Sequence, residues 1–255
     1  LKASDKESKK ENGLRKLIPQ PLKREMSLLL VLITTCFFLS GCGSMPKPMR
    51  NLGKSDVDFV MDVHAKQQKQ MLMELTRKLY VRNPWQLRKS SGMSVDARMA
   101  QIFGTYNTIE IPSLIFDELN GVTGVDAILL SFDENFQGDR VFAAMVGLTE
   151  MLRRSYNHQQ EFFIIDSLNE QSLYNSARNI EIFVWRLYQR RDSKGELFLL
   201  SNRMGESDYD ISFDRLFSKM VMVQDMMALI VADKTNRGIT KVVQSVAQLA
   251  FLPVP

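Results

Sequence analysis

From residue 55 to residue 79, apolar side chains return every three or four positions: Val57, Val60, Met61, Ala65, Met71, Leu72, Leu75 and Leu79. That spacing marks an amphipathic helix, which needs a second apolar surface to bury against. Ser55 is the N-cap candidate and Asn83-Pro84 the stop, so the pattern predicts a helix over 55–81. The same rhythm predicts helices over 94–103, closed by Gly104, over 125–132, and over 139–156. One or two turns over 113–119 end at Asn120-Gly121, and a short helix covers 161–168. A long helix over 170–191 aligns Leu173, Ala177, Ile180, Val184 and Leu187 on one stripe, and Lys194-Gly195 breaks it. Ser212 is expected to cap a helix over 213–233, which is apolar on most sides and so is expected at the centre of the core. A last helix over 239–251 precedes Pro253 and Pro255. Two short stretches, 107–111 and 196–201, are expected to pair as strands. The fold class is therefore all-α with at most a minor two-stranded β element. Its expected form is a single multi-helix orthogonal bundle of seven to nine helices.

Nothing covalent assists that packing. Cys36 and Cys42 are the two cysteines of the 255-residue chain, and both precede the helical region. Disulfides, a thiol nucleophile and thiolate metal sites are thereby excluded from it. The formal charge of +4 comes from 33 basic and 29 acidic residues. Residues 1–41 hold eight of the basic and four of the acidic ones, so residues 42–255 carry 25 of each and are neutral. The basic footprint that nucleic-acid binding requires is missing from that neutral part, so no nucleic-acid partner is expected.

The stretch "LKREMSLLLVLITTCFFLSGC" has a different character. Lys23 and Arg24 open it, residues 27–39 carry no charge, and Ser40 and Gly41 are small. A basic start, a short apolar run and a small-residue cleavage site describe a secretory signal peptide. The apolar run is short of the ~20 residues that a spanning helix needs. Its end, Leu39-Ser40-Gly41-Cys42, resembles the lipobox of bacterial lipoproteins. The resemblance implies a diacylglycerol on the Cys42 sulfur, cleavage between Gly41 and Cys42, and an N-acyl chain on the new terminus. Gly43, rather than Asp, follows the cysteine, which in that family favours the outer membrane of a two-membrane host. An ordinary secretory signal is the alternative. Two or three acyl chains hold a protein stably where one chain of ~0.8 kcal/mol per methylene binds marginally. Residues 1–21 are polar and Lys-rich and cannot form a core. Translation is expected to start near Leu22 or Met26. The expected organisation is a removed leader and signal over 1–41, a lipidated tether over 42–53 containing Pro46 and Pro48, and a helical domain over 54–255.

Chemical signals in that domain are few. His64 lies on the first helix with Gln68 in place of a second histidine at i+4, and His158, the other histidine, falls in a turn; structural roles are expected for both. Glu206, Asp208, Asp210 and Asp214 are spaced like a calcium loop, but Ile211 and Phe217 occupy the glycine and twelfth-position glutamate places, so a solvated loop is expected. Met220, Met222, Met226 and Met227 are soft ligands without an accompanying His or Cys, and core packing is expected. No metal, catalytic residue or cofactor is expected beyond the lipid on Cys42. Gln224 and Asp225 interrupt the methionine-rich helix. Together with Arg178 and Glu181 they are expected to form a buried polar cluster between two helices, with Asp225 near Arg178. Asp117 and Glu118 are adjacent, which suits no shared acid–base site, and neither a G-x-S-x-G elbow, a P-loop nor a dinucleotide fingerprint is present.

These readings lead to a lipid-anchored cell-envelope protein, on the periplasmic face of the outer membrane, that is not an enzyme. Its expected role is a scaffold or assembly factor binding another envelope protein, with Trp85, beside Pro84 and Arg88, a candidate interface residue. A carrier with an apolar pocket for a hydrophobic ligand is the alternative. A cell-wall hydrolase is a third, and it would need a cleft gathering Glu110, Asp117 and His64.

Overall fold

Capping chemistry sets where the helices begin and end. The computed structural model describes residues 53–90, 92–105, 112–163, 166–204, 209–241 and 250–255. Helix α1 (Asp56–Arg82) starts at Ser55, whose hydroxyl accepts from the Asp58 N–H while the Asp58 carboxylate accepts from the Ser55 N–H. This reciprocal box satisfies donors that a helix start leaves open. Pro84 opens the one-turn α2 (Pro84–Leu87). Ser94 caps α3 (Val95–Phe103) by accepting from the Ala97 N–H, and Gly104 ends it with a φ of 79°. Four more α-helices follow among the described residues: α4 (Gly124–Leu130), α5 (Arg140–Ser155), α6 (Glu170–Gln189) and α7 (Ser212–Thr235). Ahead of α7, β1 (Arg203–Met204) pairs antiparallel with β2 (Tyr209–Asp210). The fold is an all-α bundle.

Its centre is α5, not the methionine-rich α7 that the hydrophobicity of the sequence favours. Val141 to Leu148 of α5 are all buried, and the helix packs against α4, α6, α1 and α3. Phe142, Met145 and Leu148 share one cluster with Leu75 and Leu79 of α1, Ile128 of α4, Phe183 of α6 and Phe217 of α7. Helix α7 lies outside, against α6 and α1. It runs antiparallel to α1: Lys234 at its end donates to Asp58 at the start of α1 (2.9 Å), and Lys78 near the end of α1 reaches Ser212. A second cluster joins Met61 of α1 to Met227 and Val231 of α7 and to Phe162 and Leu173.

Several local expectations fail for identifiable reasons. Residues 196–201 form no strand beyond one bridge of Arg191 with Leu197, because side chains take the backbone groups. The Asn83 amide accepts from Leu200 N–H (2.7 Å) and donates to Leu200 O (2.9 Å), and Arg82 donates to Ser201 O. The other expected strand, 107–111, lies outside the described residues. Described residues of 161–168 are not helical: Asp62 accepts the Phe162 N–H and Asp166 the Phe163 N–H, so side chains take these backbone donors. Within 113–119 only Asp117–Leu119 winds, as one 3₁₀ turn closed by Asn120 at φ 55°. Ser212 is not the cap of α7 but its first residue; Ile211 holds the cap position and Asp210 accepts the Ser212 N–H. For the helix expected over 239–251, residues 239–241, 250 and 251 are non-helical and 242–249 lie outside the described residues. Side-chain amides on α6 fasten both flanks instead: Gln171 exchanges two hydrogen bonds with Thr240, and Asn179 two with Leu252.

Gly147 shows how closely α5 approaches α4. A Cβ there would lie 2.6 Å from Gly124 O and 2.6 Å from Ile128 N, both backbone atoms that cannot swing aside. Gly147→Ala gains roughly 1 kcal/mol of helix propensity but incurs an overpacking cost of about 1–3 kcal/mol. With two rigid backbone contacts the clash wins. A thermal melt followed by circular dichroism is expected to show a fall of several degrees; an unchanged or raised Tm would refute the tight α4–α5 contact.

Candidate functional site

The polar residues expected to cluster between α6 and α7 divide into two groups. Arg178 Nη2 lies 2.7 Å from Asp225 Oδ2, and Arg178 Nε lies 3.2 Å from Glu181 Oε2 on the same helix. Burial works against the Arg178 charge, but Glu181 and Asp225 outweigh it and raise its pKa. This triad is open to water, with side-chain exposures of 23% for Arg178, 32% for Asp225 and 52% for Glu181. Gln224 does not join it. Adjacent helical residues point about 100° apart, and Gln224 turns inward, fully buried. There its amide donates to Ser176 Oγ (2.7 Å) and Ser155 Oγ (3.1 Å) and accepts from the Tyr156 hydroxyl. It is a saturated hub joining α5, α6 and α7, and burial raises the Tyr156 pKa and keeps the phenol neutral.

A more deeply buried charge network lies at the start of α5. Asp139 caps the helix by accepting from the Phe142 N–H (3.0 Å), and it also accepts from the Tyr80 hydroxyl (2.8 Å). Arg98, with no exposed side-chain surface, stands 3.6 Å from Asp139 and stacks 3.9 Å from the Phe142 ring centroid. Its outer edge donates to Glu118 Oε2 (2.6 Å) and Gln101 Oε1 (3.0 Å). Burial pushes the Asp139 pKa up despite these partners. The network ties α1, α3, the 3₁₀ turn and α5 together, and each charge is turned toward a neighbour rather than into a cleft.

The remaining sequence candidates are scattered. Cys42, Gly41, Glu110, Glu206 and Asp208 lie outside the described residues. Asp214 accepts from Asn202 (2.7 Å) and Tyr188, and Asp210 accepts the N–H of Ser212, the first residue of α7. Among the described residues no group of three His, Cys, Asp or Glu could hold a metal. Trp85 is half-buried and borders an open groove of about 620 Å³ that also includes Lys89, Glu134 and Asp192. A second cleft, of about 580 Å³, runs between residues 121–126 and 251–255 and includes Met151 and Arg154. Neither His64 nor Asp117 borders either of them.

The methionines separate by face. Met220 and Met227 are in the core, as expected, whereas Met222 is 59% and Met226 40% exposed, with Leu229 beside them at 58%. Reading α7 as central hid this row; the excess of apolar residues over what one buried stripe needs is the signal that could have found it. Among the described residues no helix is long and apolar enough to cross a membrane.

No protein-family model, curated protein or solved structure matches the chain.

Two measurements separate these groups. Gln224→Leu removes the partner of three buried hydroxyls and is expected to cost about 2 kcal/mol or more, while Asp225→Ala breaks a solvent-screened pair worth under about 1 kcal/mol. Urea denaturation checks the order; equal losses would contradict the division. His64 provides a pH test. Burial holds its pKa below the ordinary 6.5, so the unfolded chain binds the proton more readily and stability is full above pH 6.5 and falls as the solution is acidified below it. The slope between pH 7 and 5 is expected to flatten in His64→Gln.

Proposed function

We propose that this chain is a lipid-anchored protein of the bacterial cell envelope whose helical domain acts without catalysis, as a scaffold or assembly factor for another envelope protein. The anchor is the lipid on Cys42, at the end of the Leu39-Ser40-Gly41-Cys42 pattern, and the outer membrane's periplasmic face is the proposed location. The observation that carries the docking role is the row Met222, Met226 and Leu229, solvent-facing on a helix whose other sides are packed. Its four-then-three spacing is the seam that accepts an amphipathic partner helix. Exposed Arg215 and Lys219 flank the row at one end and Asp233 at the other, which gives a partner helix of opposite charge pattern a preferred direction. The absence of a gathered acid–base or nucleophile constellation among the described residues is compatible with the non-catalytic reading.

A photo-crosslinking residue at position 226 of the native, membrane-bound protein tests it. One discrete adduct is expected, with none from the still more exposed control position Val81. The double variant Met222→Glu/Leu229→Glu should keep its Tm, since it alters only surface, and reduce the adduct about tenfold or more. An adduct that survives both charges would defeat the docking reading. A wild-type intact mass without acyl chains would defeat the anchor.

The cleft of about 580 Å³ favours a second reading, a carrier. Its walls include Val122, Val125, Met151 and Val254, and its volume falls within the range of small-molecule sites. A lipid retained stoichiometrically through native mass spectrometry would favour it.

A further inference from the structure

Two of the buried glutamines, Gln224 and Gln68, are treated in opposite ways. Every polar atom of Gln224 is engaged. Gln68 of α1 is 1% exposed, yet among the described residues neither its Oε1 nor its Nε2 has a hydrogen-bond partner. The Thr149 hydroxyl on α5, with the residue 3% exposed, is also without one. An unpaired buried amide is among the more costly things a core retains, and native interiors leave few of them. Both side chains line the same hollow of about 80 Å³, bounded by α1, the end of α3 and α5. That is room for two or three water-sized groups, taking roughly 30 Å³ for each.

The rest of the lining says what would suit it. Leu72, Leu152 and Phe103 make apolar walls. The exposed side holds Lys69 and His158, with half-buried Arg153, and no acidic side chain is among the lining residues. Arg153 is fixed in place by donating to Ile102 O and Pro112 O, each at 2.9 Å. Glu150, the acid beside this edge, is already paired with Arg154 (3.2 Å) and lies 3.7 Å from His158. Burial, and then the neighbouring Arg153, lower the Lys69 pKa, while Glu150 offsets only part of the effect of burial on Arg153.

We propose that this hollow is a binding site for a small oxyanion that both accepts and donates hydrogen bonds, of the kind represented by inorganic phosphate. Lys69 and Arg153 supply the positive field. Gln68 Nε2 and the Thr149 hydroxyl donate to anion oxygens, and Gln68 Oε1 accepts from an anion hydroxyl. Sulfate, of similar size but without a proton to donate at neutral pH, leaves that last acceptor unpaired and should bind less well. The inference is independent of the docking role of α7.

Titration calorimetry on the full-length protein in detergent, with sodium phosphate against sodium sulfate and chloride at matched ionic strength, tests it. Phosphate is expected to bind in one-to-one stoichiometry. Sulfate should bind about tenfold more weakly, the equivalent of one lost hydrogen bond. Gln68→Leu should weaken phosphate by at least the same factor; if that variant fails to fold, Thr149→Val and Lys69→Gln carry the test. No phosphate heat, equal phosphate binding by the variants, or equal binding of sulfate would overturn the proposal. So would a crystal structure grown in phosphate with water alone on Gln68. Phosphate seated between Gln68 and Lys69 would support it.

Discussion

A helix surrounded by protein must have its ends satisfied by protein, and that requirement organises this bundle around α5. Water is not available to the first N–H groups of a buried helix start. Asp139 takes one of them, from Phe142, and Gln86 takes the Arg140 N–H at 3.0 Å. The carboxylate in turn needs compensation, which Tyr80 and Arg98 provide. Arg98 then needs its own, and Glu118 supplies it from the 3₁₀ turn. Arg140 gathers the preceding loop by donating to Ser131 O, Asp133 O and Phe136 O. Each step follows from the cost of burying the last, and the chain of compensation ends at Glu118, where a carboxylate reaches solvent. Removing one member of such a network costs more than the network contributes as a whole, because the others stay buried.

The irregular segments are held by a related economy. A side-chain amide presents one acceptor and two donors, so it can face a backbone residue much as a neighbouring strand would. Asn83 does this to Leu200, Gln171 to Thr240 and Asn179 to Leu252. Asn175 makes only the single bond that a proline allows, donating to Pro253 O, and uses its carbonyl to accept from Gln171. Among the described residues, connections thus lie against helices without a sheet to receive them.

Elements fixed by local chemistry were legible in the sequence. Ser55 and Gly104 act where residue type and spacing place them, because a cap depends on a few adjacent residues. What depended on tertiary contacts was not legible. Hydrophobicity alone ranks α7 above α5, but Gly147 and the small Ala143 and Ala144 let α5 be enclosed, and that is a matter of fit rather than of mean polarity. Gln224 and Asp225 read as one polar interruption, yet they occupy different faces and serve different environments. Gln68 carried no signal beyond its place one turn after His64 in a failed metal spacing; that both its amide atoms lack partners is visible only once α5 is packed against it.

The entrance to α1 has a mechanical meaning. Lys54, just before the Ser55 cap, is buried to 3% side-chain exposure, pairs with Asp62 and sits 4.8 Å from the Phe163 ring centroid. Four residues further on, Asp58 is bonded to Lys234 at the far end of α7. The first two turns of α1 are thereby held at two points, to Lys54 through Asp62 and to α7 through Asp58. A pull on the chain ahead of Ser55 would therefore load the end of α7 together with the start of α1.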